Sequence, residues 1–176
     1  MTRVFFGLAM AGAAAALAAC STGNLIGPST AAATLAAKSG TQTGGTVTFT
    51  QQGDMVMVKA VVTGLAPGSE HGFHVHEKGD CSAPDAMSAG GHFNPEGRPH
   101  GSTASPDHHA GDIPNLKADA NGTARAEFML HGMSVGTGKD GVIGRAVVVH
   151  KDPDDYKSQP AGNSGARIAC GVIAAS

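Results

Sequence analysis

The sequence predicts a mostly β fold of short strands joined by tight turns. Glycine is abundant, with 26 of 176 residues, while aromatic residues make up only 4% and tryptophan is missing. Several segments also alternate apolar and polar residues between turn-forming positions, which is typical of antiparallel strands. Once the N-terminal segments are set aside, the remaining length suits one compact domain with one core.

The charge pattern argues against nucleic acid as a partner. The formal net charge is -2, and charged residues make up 15% of the chain. No basic stripe is present that could follow a phosphate backbone, and no acidic run indicates a disordered tail.

The N terminus is predicted to be an export signal covering residues 1–19. Arg3 precedes an apolar, alanine-rich run over residues 4–19, too short for a comfortable membrane span but suited to a signal peptide. The run ends in Leu17-Ala18-Ala19-Cys20, which resembles the lipobox of bacterial lipoproteins and predicts a lipid on Cys20. An ordinary signal for soluble export is the alternative, and either one predicts the bacterial cell envelope, on its periplasmic side.

Residues 20–42 are predicted to be a flexible tether, and residues 43–176 to be the folded domain. From Ser21 to about Gly40 the chain contains serine, threonine, alanine and glycine and little else. Such a composition offers too few large apolar side chains to bury.

The chain has three cysteines, an odd number for an exported protein. Lipidation of Cys20 would leave Cys81 and Cys170, which an oxidising compartment would allow to form a disulfide. Two unpaired buried thiols are the alternative.

Strand signals recur along the domain in a regular order. Two alternating segments flank a turn at residues 51–54 and predict a β-hairpin, and a second hairpin is predicted around Asn121-Gly122. The predicted strands cover residues 46–50, 55–62, 73–76, 116–119, 123–129 and 142–150. Residues 79–114 and 151–165 show no regular spacing of apolar residues, and both segments are too long for ordinary connections. They are therefore predicted to be functional loops.

Nine histidines point to metal binding. His74 and His76 are one residue apart on a predicted strand, so both side chains emerge on the same face about 7 Å apart and can bind one ion. Two surface imidazoles are the alternative for this pair alone. In the following loop, three imidazoles and one carboxylate form a donor set that tetrahedral zinc uses, namely His92, His100, His109 and Asp112.

Several motifs together resemble the copper,zinc superoxide dismutase family, and the similarity covers residues 43–173. They are, in sequence order, Gly72-Phe73-His74-Val75-His76, Gly91-His92-Phe93-Asn94-Pro95, His109-Ala110-Gly111-Asp112 and the segment from Gly162 to Ile173. The resemblance implies a flattened eight-stranded Greek-key β-barrel with two long functional loops.

The resemblance also implies one copper and one zinc ion per subunit. The implied copper ligands are His74, His76, His92 and His150, and the implied zinc ligands are His92, His100, His109 and Asp112. In this scheme His92 bridges the two metals. The implied reaction is dismutation of superoxide to oxygen and hydrogen peroxide by a copper redox cycle, with His92 as the source of a proton.

Two further residues gain roles from the resemblance. Asp154 matches a carboxylate that hydrogen-bonds ligands of both metals, although on its own it could be one more solvated loop acid. Arg167 matches an arginine that attracts the superoxide anion, although on its own it could be a surface charge. The remaining histidines match no ligand position and are assigned to the surface or to packing beside the ligands, namely His71, His108 and His131.

Two other functions compete with this interpretation. One is a non-enzymatic copper-binding or copper-delivery protein of the envelope, and the other is a structural domain stabilised by zinc. The short interval from His76 to Cys81 resembles the bacterial branch of the family, in which the dimer contact differs or is missing, so a homodimer is possible.

Overall fold

The computed structural model describes residues 1–2 and 29–176, and the described residues form an antiparallel β-barrel. Its strands are β1 (Thr30–Ala37), β2 (Gly44–Gln52), β3 (Met55–Thr63), β4 (Glu70–His76), β5 (Asp112–Lys117), β6 (Ala124–Leu130), β7 (Ala146–His150), β8 (Arg167–Val172) and the short β9 (Ala174–Ala175). One 3₁₀ turn, Met87–Ala89, interrupts the long loop between β4 and β5.

The strand order shows how the sheet nearly closes into a barrel. Neighbouring strands run in the order β5-β4-β7-β8-β1-β2-β3-β6, and β9 adds to β1. Strand β6 returns to pair with β3, and β7 returns to pair with β4, which gives a Greek-key connectivity. Between the two ends of this path, β5 and β6 meet only at the bridge between Ala118 and Ala124. The predicted eight-stranded Greek-key barrel is confirmed.

The core lies between the two faces of the barrel and consists of side chains that alternate along each strand. In β2 and β3 the inward residues are fully buried, and their neighbours face outward. This period of two follows from strand geometry, in which successive side chains point to opposite faces. The largest fully buried apolar side chains are Phe49, Phe73, Ile113, Leu116 and Ile173.

The prediction of a flexible tether over residues 20–42 was wrong for residues 30–37, which form strand β1. Ala31, Ala33 and Leu35 alternate with more exposed neighbours and are buried against the core. The backbone of this segment pairs with β2 over Thr30–Leu35 and with β8 at its last two residues. Alanine is a weak strand former, so the composition concealed a strand that its neighbours on both sides stabilise.

Three of the predicted strand and loop boundaries also needed correction. The turn at Asn121-Gly122 is present, with Gly122 at a φ of 72°, but the strands on either side of it do not form a hairpin. They share only the bridge between Ala118 and Ala124, and otherwise β5 pairs with β4 and β6 pairs with β3. The predicted strand over residues 142–150 begins only at Ala146. Residues 112–114, which were placed in the long loop, open the edge strand β5, where Pro114 needs no ladder partner for its nitrogen.

The predicted signal peptide and the lipidation site Cys20 lie outside the described residues, except for Met1 and Thr2. Within residues 1–2 and 29–176, the structure contains no helix with the length and apolar character of a membrane span.

Candidate metal centre

Three strands and the loop between β4 and β5 bring the predicted ligands together at one face of the barrel. His74 and His76 lie on one face of β4, and His150 ends the neighbouring strand β7. Asp112 opens β5, directly opposite His74 in the β4–β5 pairing. The loop before β5 supplies His92, His100 and His109, and all of these residues are buried.

Four of the histidines form what we call the four-histidine cluster: His74, His76, His92 and His150. One donor nitrogen from each lies within 4.8 Å of the others. The Nδ1–H of His76 donates to the Gly90 carbonyl at 2.9 Å, which turns its Nε2 toward the Nε2 of His150 at 3.3 Å. Two imidazole nitrogens that face each other at this distance indicate a site for a shared cation.

The carboxylate cluster contains His92, His100, His109 and Asp112, whose donor atoms also lie within 4.8 Å of one another. One oxygen of Asp112, Oδ1, is 2.9 Å from Nδ1 of His92, 3.0 Å from Nδ1 of His100 and 3.4 Å from Nδ1 of His109. Its other oxygen accepts hydrogen bonds from the backbone N–H groups of Gly101 and His109, which hold the loop against β5. Three nitrogens and one oxygen around a point form a donor set suited to zinc.

His92 belongs to both clusters, and its two nitrogens are divided between them. Its Nδ1 faces Asp112, while its Nε2 has no hydrogen-bond partner among the described residues. The His92 ring centroid lies 5.1 Å from that of His76 and 5.4 Å from that of His109. The position is therefore suited to a bridge between two ions.

Asp154 joins the two clusters from the second long loop. Its Oδ2 accepts a hydrogen bond from Nε2 of His74 at 2.8 Å, and its Oδ1 accepts one from Nε2 of His100 at 2.9 Å. Each bond fixes the tautomer and orientation of its ring, leaving the opposite nitrogen to face the cluster. The space beside Oδ1 is limited, because a Cβ at Gly162 would lie 1.8 Å from this oxygen.

The buried nitrogens without partners show that the donor sets fit metal ions. Among the described residues, Nδ1 of His74, Nε2 of His92 and Nδ1 of His109 are buried and have no hydrogen bond. Nδ1 of His109 approaches Asp112 but without hydrogen-bond geometry. A buried polar atom without a partner is costly, and these three atoms point to the two places where an ion would compensate the loss of water.

The two clusters differ in their protonation. Burial lowers the pKa of His92 to about 4, and it also lowers the pKa values of the other three imidazoles in the four-histidine cluster. For His100, burial opposes protonation, but hydrogen bonds with Asp112 and Asp154 raise its pKa to about 9. Near neutral pH, a cation can therefore enter the four-histidine cluster without displacing a proton, whereas the carboxylate cluster must release one from His100.

Arg167 lies beside the four-histidine cluster and is fixed by two backbone carbonyls. Its guanidinium donates to the Ala86 carbonyl at 2.8 Å and to the Gly90 carbonyl at 2.6 Å. Together with His76, His92 and His150, it lines an open cavity of about 310 Å³. Because its partners are carbonyls, its positive charge is not neutralised by an acidic partner within 4 Å among the described residues.

The disulfide between Cys81 and Cys170 holds the loop that carries these carbonyls. The Cα atoms of the two residues are 5.7 Å apart, and the bond joins the loop after β4 to strand β8, on which Arg167 lies. The predicted pairing is confirmed.

The other three histidines lie outside both clusters. His71 is buried, with its Nδ1 2.8 Å from the His150 carbonyl and its Nε2 2.6 Å from Oγ of Ser69. His108 is half-buried and its Nδ1 lies 2.6 Å from the His109 carbonyl, while His131 is exposed. His71 thus packs beside the four-histidine cluster, which is one of the two positions that the sequence predicted for it.

Comparison with known proteins identifies the family. Residues 43–173 match the family model described as copper/zinc superoxide dismutase. The chain belongs to the copper/zinc superoxide dismutase family. Curated relatives include a Cu-Zn superoxide dismutase from Aquifex aeolicus, 45% identical over 67% of this chain and 71% of the relative, and one from Paramecium bursaria Chlorella virus 1, 44% identical over 73% and 71%.

Two solved structures share the fold of this copper/zinc superoxide dismutase. The clock protein EA4 superposes with a TM-score of 0.75 at 44% identity, covering 84% of this chain and 94% of that one. A double mutant of a SOD-like protein from Bacillus subtilis superposes with a TM-score of 0.72 at 39% identity, covering 80% and 94%. As a family member whose histidine clusters fit metal ions, the protein is an enzyme that dismutes superoxide and uses copper and zinc as cofactors.

Proposed function

We propose that the protein removes superoxide in the bacterial cell envelope, with copper in the four-histidine cluster and zinc in the carboxylate cluster. The observation that carries this assignment is the division of the two His92 nitrogens between the clusters. Bound copper would supply one-electron redox chemistry, while zinc, which has none, would hold His92 and the surrounding loop in place. Elemental analysis of the mature protein, joined to a dismutation assay, tests the proposal: one equivalent of each metal with high turnover supports it.

His92 is proposed to deliver a proton in this reaction. Dismutation converts two superoxide anions and two protons into oxygen and hydrogen peroxide, so protons must reach the reduced oxygen. Nε2 of His92 is the buried ring nitrogen without a partner on the side of the four-histidine cluster, and the residue lines the cavity. Burial lowers the pKa of His92 to about 4, so the ring is neutral near neutral pH, and a proton that it takes up during the reaction is released readily.

Arg167 is proposed to capture the superoxide anion. Its guanidinium is held rigidly by the Ala86 and Gly90 carbonyls, so its charge stays at the cavity wall and needs no reorganisation when the substrate arrives. A fixed positive charge at the mouth of a narrow site raises the encounter rate with a small anion.

Replacing Arg167 by alanine is expected to lower kcat/KM for superoxide by roughly tenfold and to weaken its dependence on salt. The kcat/KM of Arg167→Lys is expected to lie between the values of the wild type and Arg167→Ala, because lysine keeps the charge but lacks the planar guanidinium group. Arg125→Ala, which removes an exposed arginine from β6, is the control and should leave both quantities unchanged. Wild-type activity and salt dependence in Arg167→Ala would exclude this role, and a copper-delivery protein would show no activity to lose.

The envelope location is proposed from the N-terminal sequence and from the disulfide. The apolar run before Cys20 fits an export signal, and the bond between Cys81 and Cys170 fits an oxidising compartment. A lipid on Cys20 would tether the enzyme to a membrane. In the full chain, Cys20→Ala is expected to abolish incorporation of labelled palmitate and to move the protein to the soluble fraction with unchanged activity per molecule. Continued labelling of Cys20→Ala would disprove the anchor.

A further inference from the structure

Asp154, which orients one ring in each cluster, is itself held by the side chain of Asn115 on β5. The backbone N–H of Asp154 donates to Oδ1 of Asn115 at 2.9 Å, and Nδ2 of Asn115 donates to the Asp154 carbonyl at 3.0 Å. This pair of bonds resembles one step of a β-ladder, in which both the backbone N–H and the backbone carbonyl of a residue are hydrogen-bonded to the neighbouring strand. Asp154 is thereby fixed relative to β5, the strand that also begins with Asp112.

Tyr156 forms hydrogen bonds with both Asn115 and Asp154. Its phenol oxygen accepts the backbone N–H of Asn115 at 2.8 Å, and its own backbone N–H donates to Oδ1 of Asp154 at 2.7 Å. Tyr156 has a φ of 59°, an uncommon conformation for a large side chain, which persists only where the surroundings favour it. The tight bend lets the tyrosine reach the strand and the carboxylate at once.

The position of Asp154 matters because its two oxygens serve different clusters. One accepts from His74 and the other from His100, so a small displacement of this carboxylate would turn both rings. Metal sites tolerate displacements of about 0.5 Å before ligand geometry suffers. Gly162 closes one side of the carboxylate and the backbone N–H of Tyr156 contacts it from another, while Asn115 holds the backbone of Asp154.

We propose that Asn115, with the phenol of Tyr156, is a positioning residue that sets the ligand geometry of both metals through Asp154 without touching either cluster. The inference rests on the proposed assignment of copper and zinc to the two clusters. It adds a structural determinant 39 residues from Asp154 in sequence that no metal-ligand motif contains.

A double-mutant cycle on the metal-loaded enzyme tests the proposal. Asn115→Ala is expected to speed the loss of zinc to a chelator by about tenfold and to alter the EPR spectrum of bound Cu(II), as residues that orient ligands commonly do. In an Asp154→Ala background, the same change is expected to add less than about twofold, because the carboxylate through which Asn115 acts on the two rings is already absent. A merely structural role would lower the unfolding free energy of the metal-free protein and leave the EPR spectrum unchanged.

Two further variants keep the test decisive if Asn115→Ala folds poorly. Tyr156→Phe removes a single oxygen and is expected to speed zinc loss by a smaller factor, about threefold, in the same direction. Ser158→Ala removes side-chain hydrogen bonds in the same loop that go to Asp155 and Asn163, and it should leave zinc loss unchanged. Equal effects of Asn115→Ala in the two backgrounds, or no effect on zinc loss in either Asn115→Ala or Tyr156→Phe, would overturn the proposal. Wild-type protein without bound metal or activity would instead refute the proposed function.

Discussion

Asp112→Ala is expected to weaken zinc binding by several hundredfold. Asp112 Oδ1 is the single oxygen that faces all three imidazoles of the carboxylate cluster. Structural zinc sites with four ligands bind with about 10–16 kcal/mol, so the loss of one donor removes roughly 3–4 kcal/mol. At about 1.4 kcal/mol per factor of ten, this corresponds to several hundredfold in affinity. Competition with a zinc chelator on the purified enzyme measures the change.

Asp119→Ala is the matched control for this prediction. Asp119 also accepts hydrogen bonds from two backbone N–H groups, those of Asn121 and Thr123, but it lies in the turn between β5 and β6 outside the carboxylate cluster. Its replacement by alanine removes these two hydrogen bonds from the turn and should leave zinc affinity unchanged. The assignment of zinc to the carboxylate cluster is wrong if Asp112→Ala binds zinc as tightly as the wild type.

Removing the disulfide is expected to cost about 4–5 kcal/mol of unfolding free energy. Cys81 and Cys170 are separated by 89 residues, so their bond closes a long loop and restricts the unfolded chain strongly in the entropic model. Denaturant unfolding of the metal-free Cys81→Ser/Cys170→Ser variant measures this cost without the contribution of bound metal.

The same variant is expected to lose part of its activity when loaded with metal. The loop released by the missing bond carries the Ala86 and Gly90 carbonyls, which hold Arg167. Chemical reduction of the wild type should reproduce both effects, and the variant should not respond to the reductant. Equal unfolding free energies for the oxidised wild type and the variant would contradict the prediction.

The residues of the two clusters could be predicted from the sequence because short histidine motifs in the order of a known family contain them. His74 and His76 share a face of a strand whatever the rest of the chain does, since side chains alternate along a strand. The residues of the loop follow in an order that matches the family. The structure brings all of these residues together in two clusters, although the spacing of His74 and His76 alone would also have fitted two surface imidazoles.

Strand β1 and the contacts around Asp154 could not be predicted in this way. Alternation of Ala31, Ala33 and Leu35 was present in the sequence, but small side chains give a weak signal, and only pairing with β2 and β8 makes the segment a strand. Asn115 and Tyr156 act through hydrogen bonds between distant segments, one of them from a backbone conformation that no local pattern marks.

Strand β1 also bears on how far the enzyme could stand from a bilayer. If Cys20 carries the proposed lipid, only residues 21–29 separate it from Thr30, and nine extended residues span at most about 30 Å. The far end of β1, about 23 Å along the strand, pairs with β8 close to Arg167. The negative surface potential of a bilayer decays over about 8–10 Å, so when that segment is extended and β1 points away from the bilayer, superoxide would reach the arginine beyond the range of headgroup repulsion.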